Sequence, residues 1–216
     1  MLIACWSSKG GAGTTVVAAA LARLAADREE GGALLADLAG DAPVVLGLTD
    51  PAGPGLAGWL AAGSRAPVDA LGRLEVAVSP RLGLLARGDG PLADGGRADV
   101  LAALLAADPR PTVADCGTAP VGAALAVAVH ATRSMLVTRA CFLALRRATI
   151  APLRASEVVL LTEPGRSLTR RDVEDCLALP VIAEIDVDPA VARAVDAGLL
   201  ATRLPRGLIR ELRRAA

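Results

Sequence analysis

The chain has 216 residues, of which 53% are hydrophobic and 21% charged, and this composition excludes an intrinsically disordered protein. Its 23 basic and 23 acidic side chains cancel, which argues against a strongly basic nucleic-acid binder as well as an acidic tail protein. With one Phe, two Trp and no Tyr, aromatic stacking on bases is also disfavoured as the main mechanism.

Short apolar runs alternate with segments of helical periodicity along the chain. Strands are predicted at 1–6, 33–37, 74–78, 82–86, 112–116, 134–138, 157–161 and 181–185. Helices are predicted at 14–28, 55–62, 97–107, 119–129, 141–149, 169–177, 189–197 and 205–214. This alternation predicts a single α/β domain over 1–216, with a mostly parallel sheet and helices on both of its faces.

Polar side chains follow several of these strands, where the ligands of open parallel sheets bind. They are Lys9, Asp37, Asp115, Arg139 and Glu163. The four cysteines and the single His130 are too scattered to form a metal cluster by spacing. Cys5 and Cys116 are expected to be small buried apolar residues.

The most specific motif is the octapeptide SKGGAGTT at 8–15, between the first strand and the first helix. Its glycines allow successive backbone N–H groups to face one concavity, and the start of the helix adds a partial positive charge. This is the P-loop arrangement in its required context of strand, loop and helix. We expect it to bind a nucleotide through Lys9, Gly10, Gly11, Ala12, Gly13, Thr14 and Thr15, with the Thr15 hydroxyl available to Mg²⁺.

The loop resembles the deviant Walker A motif, KGGxGKT, of the MinD/ParA group of P-loop ATPases, and the resemblance extends over nearly the whole chain. It implies a three-layer sandwich fold and the cofactors ATP and Mg²⁺. It also implies that Lys9, the only lysine of the chain, reaches the phosphates of a partner subunit in a homodimer formed around ATP. Asp37 resembles the switch I aspartate, so Lys9 and Asp37 are the candidate catalytic residues. Asp115 resembles the Walker B residue that supports the metal with Thr15.

The segment ALLADLAGDAPVVLGL at 33–48 resembles the septum-site branch of the group, which includes CpaE- and TadZ-like pilus-assembly proteins. Two positions depart from the group's pattern. Thr14 replaces the second lysine of the motif, and Ala39 stands where many members have a second switch I aspartate. Since a P-loop lysine neutralises charge on the β- and γ-phosphates, we expect weakened nucleotide binding and slow or lost hydrolysis. Asp41 replaces the missing aspartate only if its loop folds back.

Three functions are compatible with these residues. The first is an ATP-dependent switch that positions protein partners in septum placement, chromosome or plasmid partitioning, or pilus or secretion assembly. The second is a non-catalytic scaffold that acts through protein partners, which Thr14 and Ala39 favour. The third, a metabolic P-loop enzyme, requires a more polar substrate pocket than the second half of the chain offers.

Two surface features predict further contacts. Residues 204–214 form a basic amphipathic helix, which either makes a weak peripheral contact with an anionic membrane or packs on the sheet. The pairs Arg146-Arg147 and Arg170-Arg171 could contact DNA phosphates non-specifically, although the neutral net charge favours solvated faces. Without a signal peptide or a span-length apolar run, we expect a cytoplasmic protein, with the inner face of the plasma membrane as an alternative site.

Overall fold

A computed structural model describes residues 1–49, 53–92 and 96–215. Eight strands form one sheet. In chain order they are β1 (Leu2–Ser7), β2 (Ala33–Asp37), β3 (Glu75–Ser79), β4 (Leu82–Leu85), β5 (Thr112–Thr118), β6 (Arg133–Arg139), β7 (Glu157–Thr162) and β8 (Val181–Asp186). Their order across the sheet is β3-β4-β2-β5-β1-β6-β7-β8.

Adjacent strands run parallel everywhere except at one edge, where β3 and β4 are antiparallel. Only Pro80 and Arg81 separate these two strands. A connection this short can join antiparallel strands, whereas parallel neighbours need a crossover of about a dozen residues or more. The expectation of a mostly parallel sheet is confirmed, and this hairpin is its antiparallel edge.

Helices cover both faces of the sheet. They are α1 (Thr14–Arg28), α2 (Ala42–Leu46), α3 (Gly55–Ala61), α4 (Ala98–Ala107), α5 (Gly122–His130), α6 (Phe142–Thr149), α7 (Arg170–Leu177), α8 (Pro189–Asp196) and α9 (Arg206–Leu212), with 3-10 turns at Gly63–Arg65 and Val68–Leu74. Alternate residues of β1 divide the core between the two faces. Ile3 and Cys5 pack with α1, α2, α8 and α9, whereas Leu2, Ala4 and Trp6 pack with α3 to α7. The predicted three-layer arrangement is therefore confirmed.

Helix α1 is the most buried helix next to the candidate site. Ten of its residues are buried, and six of these are alanines. Alanine has high helix propensity and a small side chain, so α1 can lie close to the sheet along its whole length. This packing fixes the start of the helix, and with it the preceding glycine-rich loop, at the carboxyl end of β1.

Two predicted helices differ from the observed ones by more than one residue at an end. The helix expected at 119–129 begins only at Gly122, because Pro120 lacks an N–H group and Ala119 has a left-handed φ of +46°. The last helix is limited to Arg206–Leu212, and its apolar side packs on the core through Leu208 and Leu212. No helix within 1–49, 53–92 or 96–215 is long and apolar enough to cross a membrane.

Candidate functional site

The loop at residues 8–13 connects β1 to α1 in a conformation that depends on glycine. Gly11 and Gly13 have φ values of +73° and +81°, in the left-handed region that L side chains rarely adopt. A Cβ atom on Gly13 would also lie 3.0 Å from a methyl carbon of Leu161. Gly13 caps α1 and has no side chain, so the first N–H groups of the helix remain available to an anion.

This loop forms one wall of an open cleft of about 620 Å³ at the carboxyl edge of the sheet. Residues 11–16 line that wall, and the loops after β2, β4 and β5 line the others. The lining residues of those loops include Leu38, Ala39, Asp41, Arg87, Pro91, Leu92 and residues 116–121. Backbone N–H groups, three threonine side chains, one carboxylate and one guanidinium therefore share a cavity of the size of a small-molecule site.

The Asp37 carboxylate is fully buried and does not line the cleft in the described structure. It accepts hydrogen bonds from the N–H groups of Ala39, Gly40 and Ala42, at 3.0, 2.7 and 3.1 Å. Burial raises the pKa of Asp37, and these three bonds oppose the rise. Asp37 therefore shapes the loop that follows β2. That loop does fold back, since Asp41 lines the cleft.

Asp115 pairs in register with Asp37 on the neighbouring strand and is also fully buried. Its Oδ1 accepts the N–H of Gly117 at 3.0 Å, whereas its Oδ2 has no hydrogen-bond partner in the described part of the chain. Burial raises the pKa of Asp115 to about 6, and the nearby Asp37 charge adds to the rise. The Thr15 hydroxyl is close enough to oppose this rise, although no bond of good geometry joins the two groups.

These oxygen atoms are suitable for a magnesium ion. The Thr15 hydroxyl lines the cleft, and the unpartnered Oδ2 of Asp115 is close to it; both are hard oxygen donors of the kind that Mg²⁺ prefers. The described residues contain no cluster of three His, Cys, Asp or Glu side chains able to hold a metal.

Lys9 lies outside this cleft. It is half-buried in a small recess beside Thr138, Arg139 and Cys141, and it makes no hydrogen bond or ion pair within the described ranges. Glu163 is nearby, bonded to Arg166 and Arg139. Arg166 chiefly lowers the pKa of Glu163, with smaller contributions from Arg139 and Lys9. The sequence predicts Lys9, Arg139 and Glu163 at one edge of the sheet, and the structure brings them together there.

Thr14 lines the cleft and is 93% buried. Because threonine is neutral, the position that carries the P-loop lysine in the resembled motif contributes no charge. Among the residues that line the cleft in the described structure, the only cation is Arg87. The sequence does not identify Arg87 as a site residue, because it lies in a loop without a recognisable motif, far along the chain from residues 8–15. The only local signal was its position after a strand of the parallel sheet.

The arginine pairs considered for DNA lie on two different helices. Arg146 and Arg147 are exposed on α6. Arg170 is bonded to Glu174 and Glu184, and Arg171 lies 3.8 Å from Asp175. Paired guanidinium groups on α7 are less available to phosphates than the sequence alone suggested.

Comparisons with known proteins support this description of the fold. No protein-family model and no curated protein matches the sequence. Solved structures do match it. A ParA family ATPase from Chlorobium tepidum TLS is 18% identical, covering 96% of this chain and 93% of its own, with a TM-score of 0.77. The cell division ATPase MinD of Pyrococcus furiosus is 21% identical, covering 100% and 99%, with a TM-score of 0.75.

A third match is the septum site-determining protein MinD of Pyrococcus horikoshii OT3, solved as a complex with Mg-ADP. It is 20% identical, covering 93% of this chain and 86% of its own, with a TM-score of 0.71. The chain thus has the fold of the ParA/MinD ATPases, and its glycine-rich loop and cleft lie at the carboxyl edge of its sheet.

Proposed function

We propose that this chain is a nucleotide-dependent switch of the MinD/ParA type, which binds ATP with Mg²⁺ in the cleft between α1 and the loops after β2, β4 and β5. The observation that carries the proposal is the left-handed glycine loop that opens α1 onto this cleft, beside the unpartnered oxygen of Asp115. Matching structures include complexes described as MinD with Mg-ADP and McdA with ATP, which supports nucleotide as the ligand.

Each predicted site residue has a role in the proposal. The backbone of Gly10, Gly11, Ala12, Gly13 and Thr14 holds the phosphates through N–H groups. The Thr15 hydroxyl and the Asp115 carboxylate would hold Mg²⁺, and the ion would neutralise phosphate charge. Asp37 holds the loop that carries Asp41. Lys9, which lines a separate recess and not its own cleft, contacts the nucleotide of the second subunit in an ATP-bound homodimer.

Hydrolysis in this switch is slow or lost. Thr14 provides no cation at the phosphates, and Ala39 provides no carboxylate to orient water. Removing one preorganised charge-stabilising group typically costs about 10²–10³ in rate. Asp41, exposed at the cleft, is the one carboxylate among the described lining residues that could orient an attacking water. A switch with slow turnover resets through nucleotide exchange or through a partner that completes the site.

The cellular process is proposed from the same comparison. Matching structures are described as septum-determining, cell division and plasmid partition proteins, and one is a MinC:MinD complex. We therefore propose that the chain positions protein partners in septum placement, partitioning or pilus or secretion assembly, in the cytoplasm. The second candidate is a scaffold without nucleotide, and the uncharged Thr14 in the P-loop is the observation that favours it.

Two measurements test the proposal. Calorimetric titration with ATP and ADP, with and without Mg²⁺, measures binding, and light scattering under the same conditions measures molar mass. We expect binding that Mg²⁺ strengthens and a doubling of mass with ATP. Thr15→Ala should remove most of the Mg²⁺ effect, whereas Thr149→Ala, on the exposed end of α6, should not. No heat from the unmodified protein at millimolar nucleotide would contradict the switch and support the scaffold.

A further inference from the structure

The charge of Arg87 matters because few of the other residues that line the cleft are charged. A nucleoside triphosphate carries several negative charges, and in the described structure the lining residues include Asp41 but only one cation, Arg87. Thr14 supplies no charge on the P-loop, and Lys9 faces a different recess. Among the described lining residues, the only side chain that can present a full positive charge to phosphates in this cleft is therefore that of Arg87.

The backbone of Arg87 is held firmly. Residues 86 and 87 follow β4, and their carbonyl groups accept hydrogen bonds from Leu56 and Ala57 in the first turn of α3, at 3.0 and 2.8 Å. The next residue, Gly88, has a φ of +73°, and a Cβ there would lie 2.4 Å from the Pro54 carbonyl oxygen. This close backbone packing fixes the direction in which the Arg87 side chain leaves β4.

The side chain is held as well. Its Nη1 donates to the Ala39 carbonyl at 2.8 Å, and its Nη2 donates to the Gly90 carbonyl at 3.3 Å. The side chain also packs against Gly40, where an added Cβ would lie 3.2 Å from the Arg87 Cδ. Because Asp37 bonds the N–H groups of Ala39 and Gly40, it fixes the carbonyl that Arg87 contacts.

A guanidinium in this setting can still bind an anion. Arginine has five N–H donors in a planar fork that matches phosphate oxygens, and the two described bonds use only part of the fork. Arg87 is half-buried, so its charge is less screened than that of a fully exposed side chain. Its bond to Ala39 places it on the side of the cleft where Asp41 also lies, across from the start of α1.

We propose that Arg87 pairs with the terminal phosphate of the bound nucleoside triphosphate and so replaces the charge that the P-loop lacks at Thr14. This inference rests on the proposed nucleotide binding and names the residue that makes the cleft prefer a triphosphate. The backbone N–H groups of the P-loop then hold the inner phosphates. Because Arg87 joins the loops after β2 and β4, both loops respond to the terminal phosphate.

The test is calorimetric titration with ATP and with ADP, both with Mg²⁺, of the unmodified protein, Arg87→Gln and the control Arg81→Gln. Arg81 is exposed in the β3–β4 turn, at the opposite end of β4, so the control removes the same charge away from the cleft. We expect Arg87→Gln to weaken ATP binding about 10–100-fold, the range of a charge-assisted hydrogen bond, with a change in ADP binding below about threefold. Arg81→Gln should bind both as the unmodified protein does.

A rescue variant separates charge from architecture. Thr14→Lys returns a cation to the P-loop, and in the Arg87→Gln background it should recover most of the lost ATP affinity. Equal losses for ATP and ADP, without recovery by Thr14→Lys, would show that Arg87 only braces the two loops, and this would overturn the inference. Unchanged ATP binding in Arg87→Gln would also overturn it while leaving the proposed function intact. No binding of either nucleotide by the unmodified protein would overturn both.

Discussion

At the scale of single residues, the most unusual group is the carboxyl of Asp115. It is fully buried at the end of a central strand, next to Asp37, and one of its oxygens has no hydrogen-bond partner among the described residues. Burial raises its pKa from 3.8 to about 6. Without a cation, the charged form is therefore less favourable in the folded chain than in the unfolded one, which is the expected cost of a site prepared for a metal.

This shift predicts how stability depends on pH in protein free of nucleotide and metal. Because the folded pKa is above the unfolded one, the contribution of Asp115 is fully present below about pH 4 and is lost as pH rises through about 6. The loss is about 3 kcal/mol, since one pKa unit corresponds to about 1.4 kcal/mol. Asp115→Asn should remove this part of the decline.

Urea unfolding in EDTA at several pH values between 4 and 7 measures the difference between the unmodified protein and Asp115→Asn. Subtracting the two stability curves isolates Asp115, because other carboxyl groups also change stability with pH. The pKa of Asp37 is raised in the same direction, whereas Arg110 lowers the pKa of Asp108 against the effect of its burial. Parallel stability curves for the two proteins would show that Asp115 does not titrate in this range.

At the scale of elements, α9 determines whether the C-terminal segment can serve as a membrane contact. Its apolar side is buried, with Leu212 at 0% and Leu208 at 2% exposure, and its arginines face solvent. Arg28 of α1 also donates to the Arg213 carbonyl at the end of the helix. Inserting the apolar side of α9 into a membrane would require the helix to leave the core, so the predicted membrane contact remains a hypothesis with an added energetic cost.

The size of that cost can be measured by truncation of one side chain. Leu212→Ala should lower the free energy of unfolding by about 2–5 kcal/mol, the usual range for a buried leucine. Leu199→Ala is the matched control, since Leu199 is 44% exposed, and it should cost less than about 1 kcal/mol. Denaturant unfolding of both variants gives the comparison. Similar small losses would indicate that α9 is only loosely attached.

At the scale of the whole molecule, the role proposed for Lys9 concerns assembly rather than the cleft of its own subunit. It is the only lysine of the chain, it is half-buried, and the described structure gives it no ion-pair partner. A side chain in this position can add a charge to a nucleotide that lies between two copies. The proposed dimer thus joins two incomplete sites, each without a P-loop lysine at Thr14.

Lys9→Ala should therefore abolish the doubling of molar mass on addition of ATP and Mg²⁺, measured by light scattering. Arg73→Ala is the control, because Arg73 is exposed, pairs with Asp69 and does not line the cleft in the described structure. A Lys9→Ala protein that still dimerises with ATP would contradict the role proposed for this lysine. A control that also fails to dimerise would point to a general charge effect.

Local signals account for the features that could be predicted well. Helix α1 begins at Thr14 and ends at Arg28, as expected, since a glycine-rich loop precedes its first residue and an alanine-rich periodic segment defines its buried side. The antiparallel pairing of β3 with β4 was less evident, because a strand's own apolar pattern does not identify its neighbour. Its cause, the two-residue connection, was visible in the sequence.

The candidate site likewise contains features that the sequence predicts and features that it does not. The sequence alone determined the sheet-and-helix architecture and the loop at 8–15, because conformational preference and apolar periodicity act over a few neighbouring residues. Only the tertiary structure decided that Asp37 holds a loop, that Asp41 reaches the cleft, and that Arg87 is the cation lining it. The physical reason is that burial, hydrogen-bond partners and shared cavities arise between segments far apart in sequence, and no local pattern encodes which of them meet.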